Sequence, residues 1–166
     1  MDSSASASQA AWQYTLAQRQ ATAAELFGRS EAEQRRLGYL HTLHEICQQP
    51  WTWLRTCGRM IEFREALGSS LAGTRSLTLT GSGSSQYAAE CVMSAIRIDL
   101  KLPTGSVGGG DLLVYGGKIL PTERPGLIIS LARSGDSPES RAAIELLLDT
   151  EPELRHIVIT CNEQGA

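Results

Sequence analysis

The sequence predicts an α/β protein: a parallel sheet in a three-layer αβα sandwich, preceded by N-terminal helices. Three observations carry that reading. After Arg75, short runs of β-formers ("SLTLT", "GLIISLA", "HIVIT") alternate with helical patterns, and such alternation builds βαβ units around a parallel sheet. The second and third runs are apolar almost throughout, as strands buried on both faces are. Before Arg75, apolar residues recur at helical spacing instead.

The elements follow in order. Residues 1–11, "MDSSASASQAA", read as a disordered leader, lacking the basic start and apolar stretch of a signal peptide. A helical region spans residues 12–70. Its first pattern, residues 12–36, breaks at Gly28-Arg29-Ser30, where Ser30 and Glu33 fit a capping box that opens a new helix. Leu37, Leu40, Leu43 and Cys47 then share a helix face as far as Pro50. Proline lacks an N–H and disfavours helix at the residue before it, so this helix is expected to end there. Another helix, over "WTWLRTCGRMIEFREALGS", is expected to close at Gly68-Ser69-Ser70. Residues 71–166 form the sheet domain. The strand "SLTLT" leads to the helix "SSQYAAECVMSAIRIDL", then to a short strand near Val107 and a glycine-loosened loop. The strand "GLIISLA", the helix "SPESRAAIELLLD" and the strand "HIVIT" complete the pattern.

The 166 residues suffice for one domain with a substantial core. With 15 Lys and Arg against 18 Asp and Glu, the net charge of −3 gives no global attraction to nucleic acid or to an anionic membrane. Any bound anion must be held by local geometry. No apolar run approaches the roughly 20 residues of a membrane-spanning helix. Cys47, Cys57, Cys91 and Cys161 form no CxxC pair and read as reduced thiols of a cytoplasmic protein. His41, His44 and Glu45 lack zincin spacing and a third ligand, so neither a metal nor a cofactor is expected.

The chemistry concentrates in two strand-to-helix turns, Gly81-Ser82-Gly83-Ser84-Ser85-Gln86 and Arg133-Ser134-Gly135-Asp136-Ser137. In an open parallel sheet, ligands collect beyond the carboxyl ends of the strands, where helix N-termini converge. Free N–H groups at a helix start carry partial positive charge, and small hydroxyls add donors without blocking approach. Ser84, Ser85, Ser134 and Ser137 meet the needs of a phosphate, while Pro138 suits the first helical position and makes Ser137 the N-cap. The first turn is not a dinucleotide fingerprint, because Gln86 stands where the third glycine belongs, and it is not a P-loop, because no Gly-Lys-Ser/Thr follows. A lone Ser-Pro-Glu at a helix start is commonly capping alone. Two such turns, each after a buried strand, point to a phosphorylated small molecule.

Together, "LTLTGSGSSQY" and "LIISLARSGDSPES" resemble the sugar isomerase (SIS) domain family, whose sheet is flavodoxin-like. "HTLHEICQQPWTWLRT" and "ITCNEQGA" are similar to its branch of tagatose-6-phosphate ketose/aldose isomerases and galactosamine-6-phosphate deaminases. The resemblance covers most of residues 38–166. It implies that both turns clasp a sugar phosphate, with Ser84, Ser85, Ser134 and Ser137 as ligands and Gly83, Arg133, Gly135 and Asp136 in support. The chain departs from many SIS domains at Ala132, where they carry a hydroxyl. The branch also implies a longer protein with paired SIS domains and acid/base residues drawn largely from the second. On that reading this chain is the N-terminal portion, its SIS domain truncated at the C-terminal end, with a phosphate site and negligible turnover alone.

Aldose–ketose interconversion moves a proton beside a carbonyl, and deamination adds a proton for the leaving amine; both need a tuned carboxylate or histidine. Asp111 and Glu163 are the candidates near strand ends, and Asp136 is assigned to support of its own turn. The alternative is a non-catalytic module that senses a sugar phosphate ahead of a DNA-binding helical region. Residues 1–70 hold seven Arg, no Lys and seven Asp or Glu, which leaves no basic footprint for DNA. The expected partners are therefore a phosphorylated sugar or amino sugar and, across an exposed sheet edge, another copy of the chain.

Overall fold

The computed structural model describes residues 3–162, and the chain divides into two units, Met1–Glu65 and Ala66–Ala166. The first holds α1 (Ser3–Arg19), α2 (Ala21–Gly28), α3 (Glu31–Arg36) and α4 (Leu40–Glu62). From Ser3 onward the expected disordered leader is instead the start of α1. Ala5, Ala7, Ala10 and Ala11 are the strongest of helix formers, and α1 packs against α2 and α4. The capping box forms as the sequence predicts, with Ser30 Oγ accepting from the Glu33 N–H at 3.3 Å. Buried Gln34 donates from Nε2 to the carbonyls of Leu26 and Arg29, and the Tyr39 hydroxyl donates to Leu26, so the end of α2 is satisfied by side chains.

The helix expected to stop at Pro50 runs through it, from Leu40 to Glu62. An interior proline costs about 3 kcal/mol, largely through the lost bond to the carbonyl four residues back. That carbonyl belongs to Ile46, which is exposed. The next residue, Trp51, packs edge-on against Trp12 at 6.1 Å between centroids, which draws the helix onward.

The second unit takes most of α5 (Arg64–Leu71), then β1 (Ser76–Gly81), α6 (Ser84–Leu100), β2 (Thr104–Gly108), α7 (Gly109–Tyr115), β3 (Gly126–Ala132), α8 (Pro138–Thr150) and β4 (Leu154–Thr160). α5 passes the expected stop at Gly68, and the left-handed glycine that follows it is Gly73, at φ +71°. The expected glycine-loosened loop after Val107 is the helix α7, held by Leu112 in the core.

All strand pairs are parallel, in the order β2-β1-β3-β4. Side chains alternate across the sheet. Leu77, Leu79 and Leu127 meet Ala89, Met93 and Ile96 of α6 on one face. Ile128 and Leu154 meet Leu112, Ala143 and Leu147 of α7 and α8 on the other. This is a three-layer αβα sandwich. From β1 the chain passes through α6 to β2 on one side, then returns through α7 to β3 on the other side of β1. The point where the order reverses lies between β1 and β3, and a crevice opens there outside the strand ends.

Candidate functional site

The two serine turns leave β1 and β3 at that reversal point. After Gly81, Ser82 and Gly83 lead into α6, and Gly83 adopts φ +57° with ψ −124°, a conformation open to glycine alone. The backbone also passes tightly over the helix: a Cβ on Gly81 would sit 2.8 Å from Ser85 Cβ and 2.9 Å from its carbonyl carbon. The second turn bends at Gly135, φ +74°, and enters α8 at Pro138.

Both turns line one cavity of about 200 Å³. Ser84, Ser85, Ser134 and Ser137, predicted from opposite ends of the domain sequence, all lie on its wall, and so do Arg133 and Gly135. Ser137 occupies the N-cap position but makes no capping bond with its side chain, which leaves its hydroxyl to the cavity. Ser134 Oγ accepts from the Asp136 N–H at 3.3 Å, so its own proton remains available. The helix starts of α6 and α8 both face this space, and each brings about half a unit of positive charge. Arg133 is exposed and is the charged residue on the wall.

Other candidates fall elsewhere. Gly83 and Asp136 shape the turns without lining the cavity. Ala132 lines it with no hydroxyl to offer. Asp111 is exposed in the first turn of α7 and does not line the cavity, and Glu163 lies outside the described residues. His41, His44 and Glu45 are exposed along α4, and no group of three metal-ligating side chains occurs among the described residues. No helix is long and apolar enough to cross a membrane among the described residues.

Two serines of the wall were not singled out in the sequence, Ser82 and Ser140. Ser82 Oγ donates to Glu139 Oε1 at 3.1 Å and lies 3.3 Å from Ser140 Oγ. Ser82 and Glu139 are 57 residues apart, and only the adjacency of β1 and β3 brings them together.

A parallel sheet of this order, with a hydroxyl-lined cavity at its reversal point, is a doubly wound α/β arrangement and agrees with the SIS-like fold that the sequence resemblance implies. The chain is 39% identical over 132 residues to a Streptomyces coelicolor protein provisionally named D-galactosamine-6-phosphate deaminase, a match covering 76% of this chain and 34% of that one. It is 35% identical over 130 residues to the Escherichia coli D-galactosamine-6-phosphate deaminase AgaS, covering 75% of this chain and 34% of that one. Among solved structures, the tagatose-6-phosphate ketose/aldose isomerase of Escherichia coli superposes with a TM-score of 0.68 at 34% identity, covering 74% of this chain and 35% of that one. No family model matches the chain. The chain is homologous to this deaminase and isomerase branch, and it spans about a third of the length of these relatives.

Proposed function

We propose that the cavity holds the phosphate of a sugar or amino-sugar phosphate, and that the chain is the phosphate-binding part of a ketose/aldose isomerase or galactosamine-6-phosphate deaminase. The observation that carries this is the convergence of Ser84, Ser85, Ser134 and Ser137 on one cavity where two helix starts meet. Phosphate needs short donors from several directions, and hydroxyls, backbone N–H groups and Arg133 supply them. Inositol-like or purely neutral sugars would leave these donors unpaired in a small polar space.

The residues of this chain bind and orient. Anchoring the phosphate at the strand ends fixes the sugar so that its reacting carbons project outward from the sheet, and holding a substrate in one geometry lowers the barrier to proton transfer. The reading includes a cytoplasmic setting, supported by the four free cysteines Cys47, Cys57, Cys91 and Cys161. It also includes self-association, supported by the outer edge of β4, which has no partner strand among the described residues and exposes Val158 and Ile159.

The test is titration of the chain and of its Ser134→Ala and Ser137→Ala variants with galactosamine-6-phosphate and tagatose-6-phosphate. Hydrogen bonds to a charged group contribute about 1.5–3 kcal/mol each, so each variant should bind roughly tenfold or more weakly. Unchanged affinity in both variants rejects the assignment.

A further inference from the structure

Past the end of the sheet, the two serine-bearing segments meet again at one junction, held by a carboxylate that stands outside the cavity. The β1–β3 ladder runs out at Thr80 and Ser130. Beyond it the chains part to open the cavity, and the hydrogen bonds that join the first turn to α8 among the described residues come from Ser82. Ser82 Oγ lies 3.1 Å from Glu139 Oε1 and 3.3 Å from Ser140 Oγ. A hydroxyl has one proton, and a carboxylate takes it more strongly than a second hydroxyl does. Ser82 therefore donates to Glu139 and accepts from Ser140, so both contacts are made at once.

The junction sits close to every donor of the cavity. Ser82 stands two residues before Ser84, and Glu139 stands two residues after Ser137. The start of α7 closes over it: a Cβ on the buried Gly109 would stand 2.8 Å from Ser82 Oγ and 3.1 Å from Glu139 Oε1. The bare glycine leaves room for the contact and screens one side of it from water.

We propose that Glu139 is a positioning residue for the anion. Acting through Ser82, it sets the separation of the two turns, so that Ser84 and Ser85 on one side and Ser134 and Ser137 on the other reach the same group. This role rests on the proposed phosphate site. Donors already held at the right distance spare the ligand the work of drawing them together, and loosening them weakens binding without weakening the fold.

The experiment is calorimetric titration of the full chain with inorganic phosphate, alongside urea unfolding and amide hydrogen exchange. Glu139→Ala and Glu139→Gln both remove the charge, but glutamine keeps an oxygen that accepts from Ser82. Glu139→Ala should bind phosphate roughly fivefold more weakly than Glu139→Gln, the scale of one modest hydrogen bond. Adding Ser82→Ala should cost the Glu139→Gln chain about that same factor and the Glu139→Ala chain less than about twofold, because the two side chains share one contact. Exchange of the amides in residues 82–86 should be faster in Glu139→Ala than in Glu139→Gln, at equal urea midpoints. Equal phosphate affinity of Glu139→Ala and Glu139→Gln overturns the role. So do equal losses from Ser82→Ala in both chains, which would make Ser82 a ligand in its own right, and a drop in the urea midpoint large enough to account for the lost binding. An unaltered chain that binds no phosphate, or binds it indifferently to Ser134→Ala, rejects the phosphate site and this role with it, whereas the preceding outcomes reject the role alone.

Discussion

The Asn162 carboxamide donates to the Ser134 carbonyl at 2.8 Å, tying the end of β4 to the turn after β3. One residue earlier, the Cys161 N–H bonds to the Arg133 carbonyl at 3.3 Å. A turn that binds an anion must aim its N–H groups inward and dispose of its carbonyls elsewhere, and the residues just past β4 donate to both carbonyls. Asn162 also approaches the Asp136 carboxylate at 3.5 Å, holding that negative charge on the outer side of the turn. Asn162→Ala should therefore lower phosphate affinity by about fivefold to tenfold, the value of one or two modest hydrogen bonds. Calorimetry on the variant, with its melting temperature measured alongside, checks this; a changed melting temperature with unaltered affinity would remove Asn162 from the site.

Gly81 governs the other turn. A Cβ there meets the Cβ and backbone of Ser85 and the nitrogen of Gln86 within 2.8–3.0 Å, and backbone cannot rotate away as a side-chain tip can. Gly81→Ala should displace the start of α6 and cost about 1–3 kcal/mol, the usual range for overpacking. Urea unfolding would show the loss of stability, and phosphate titration should show a parallel loss of binding because Ser84 and Ser85 ride on the displaced turn.

The sheet was legible because its evidence is local. "SLTLT", "GLIISLA" and "HIVIT" mark their strands by β-branched and apolar content alone, and each lies within an observed strand. The turns were legible for the same reason, as small residues between a strand and a helix. What the sequence concealed depends on distance or competition. Pro50 breaks a local rule that packing by Trp51 overrides. Three glycines hid α7, whose stability comes from Leu112 in a core assembled by other elements. Ser82 and Glu139 meet only because β3 lies beside β1, and strand order is not written in any single segment.

Leu147 is fully buried where α8 meets Leu112 of α7 and Ile128 of β3. Leu147→Ala removes three carbons from that packing and leaves a cavity the rigid sheet cannot close. The expected cost is about 2–5 kcal/mol, read from urea midpoints with an unchanged unfolding slope. The same helix carries Ser137 at its N-cap and Glu139 in its first turn, so binding should weaken only as far as the folded fraction falls. A large binding defect in fully folded variant would mean that the seat of α8 sets the geometry of the cavity.

His156 lies on β4 opposite Ile128, half-buried, with neither ring nitrogen hydrogen-bonded. Burial lowers its pKa, because the imidazolium loses its hydration and finds no partner. With the folded pKa below the unfolded one, the unfolded chain binds the extra proton first. Stability is then full above the ordinary imidazole range of about 6.5 and declines as pH falls through it toward the lower folded value. Replacing the ring with an apolar side chain, His156→Leu, removes that proton uptake and should flatten the decline. The check is urea unfolding of both proteins at about pH 7.5, 6.5 and 5.5, spanning the titration. Carboxylates contribute equally to both curves, so the difference between them isolates His156; identical slopes would show that the imidazole does not titrate between the folded and unfolded states.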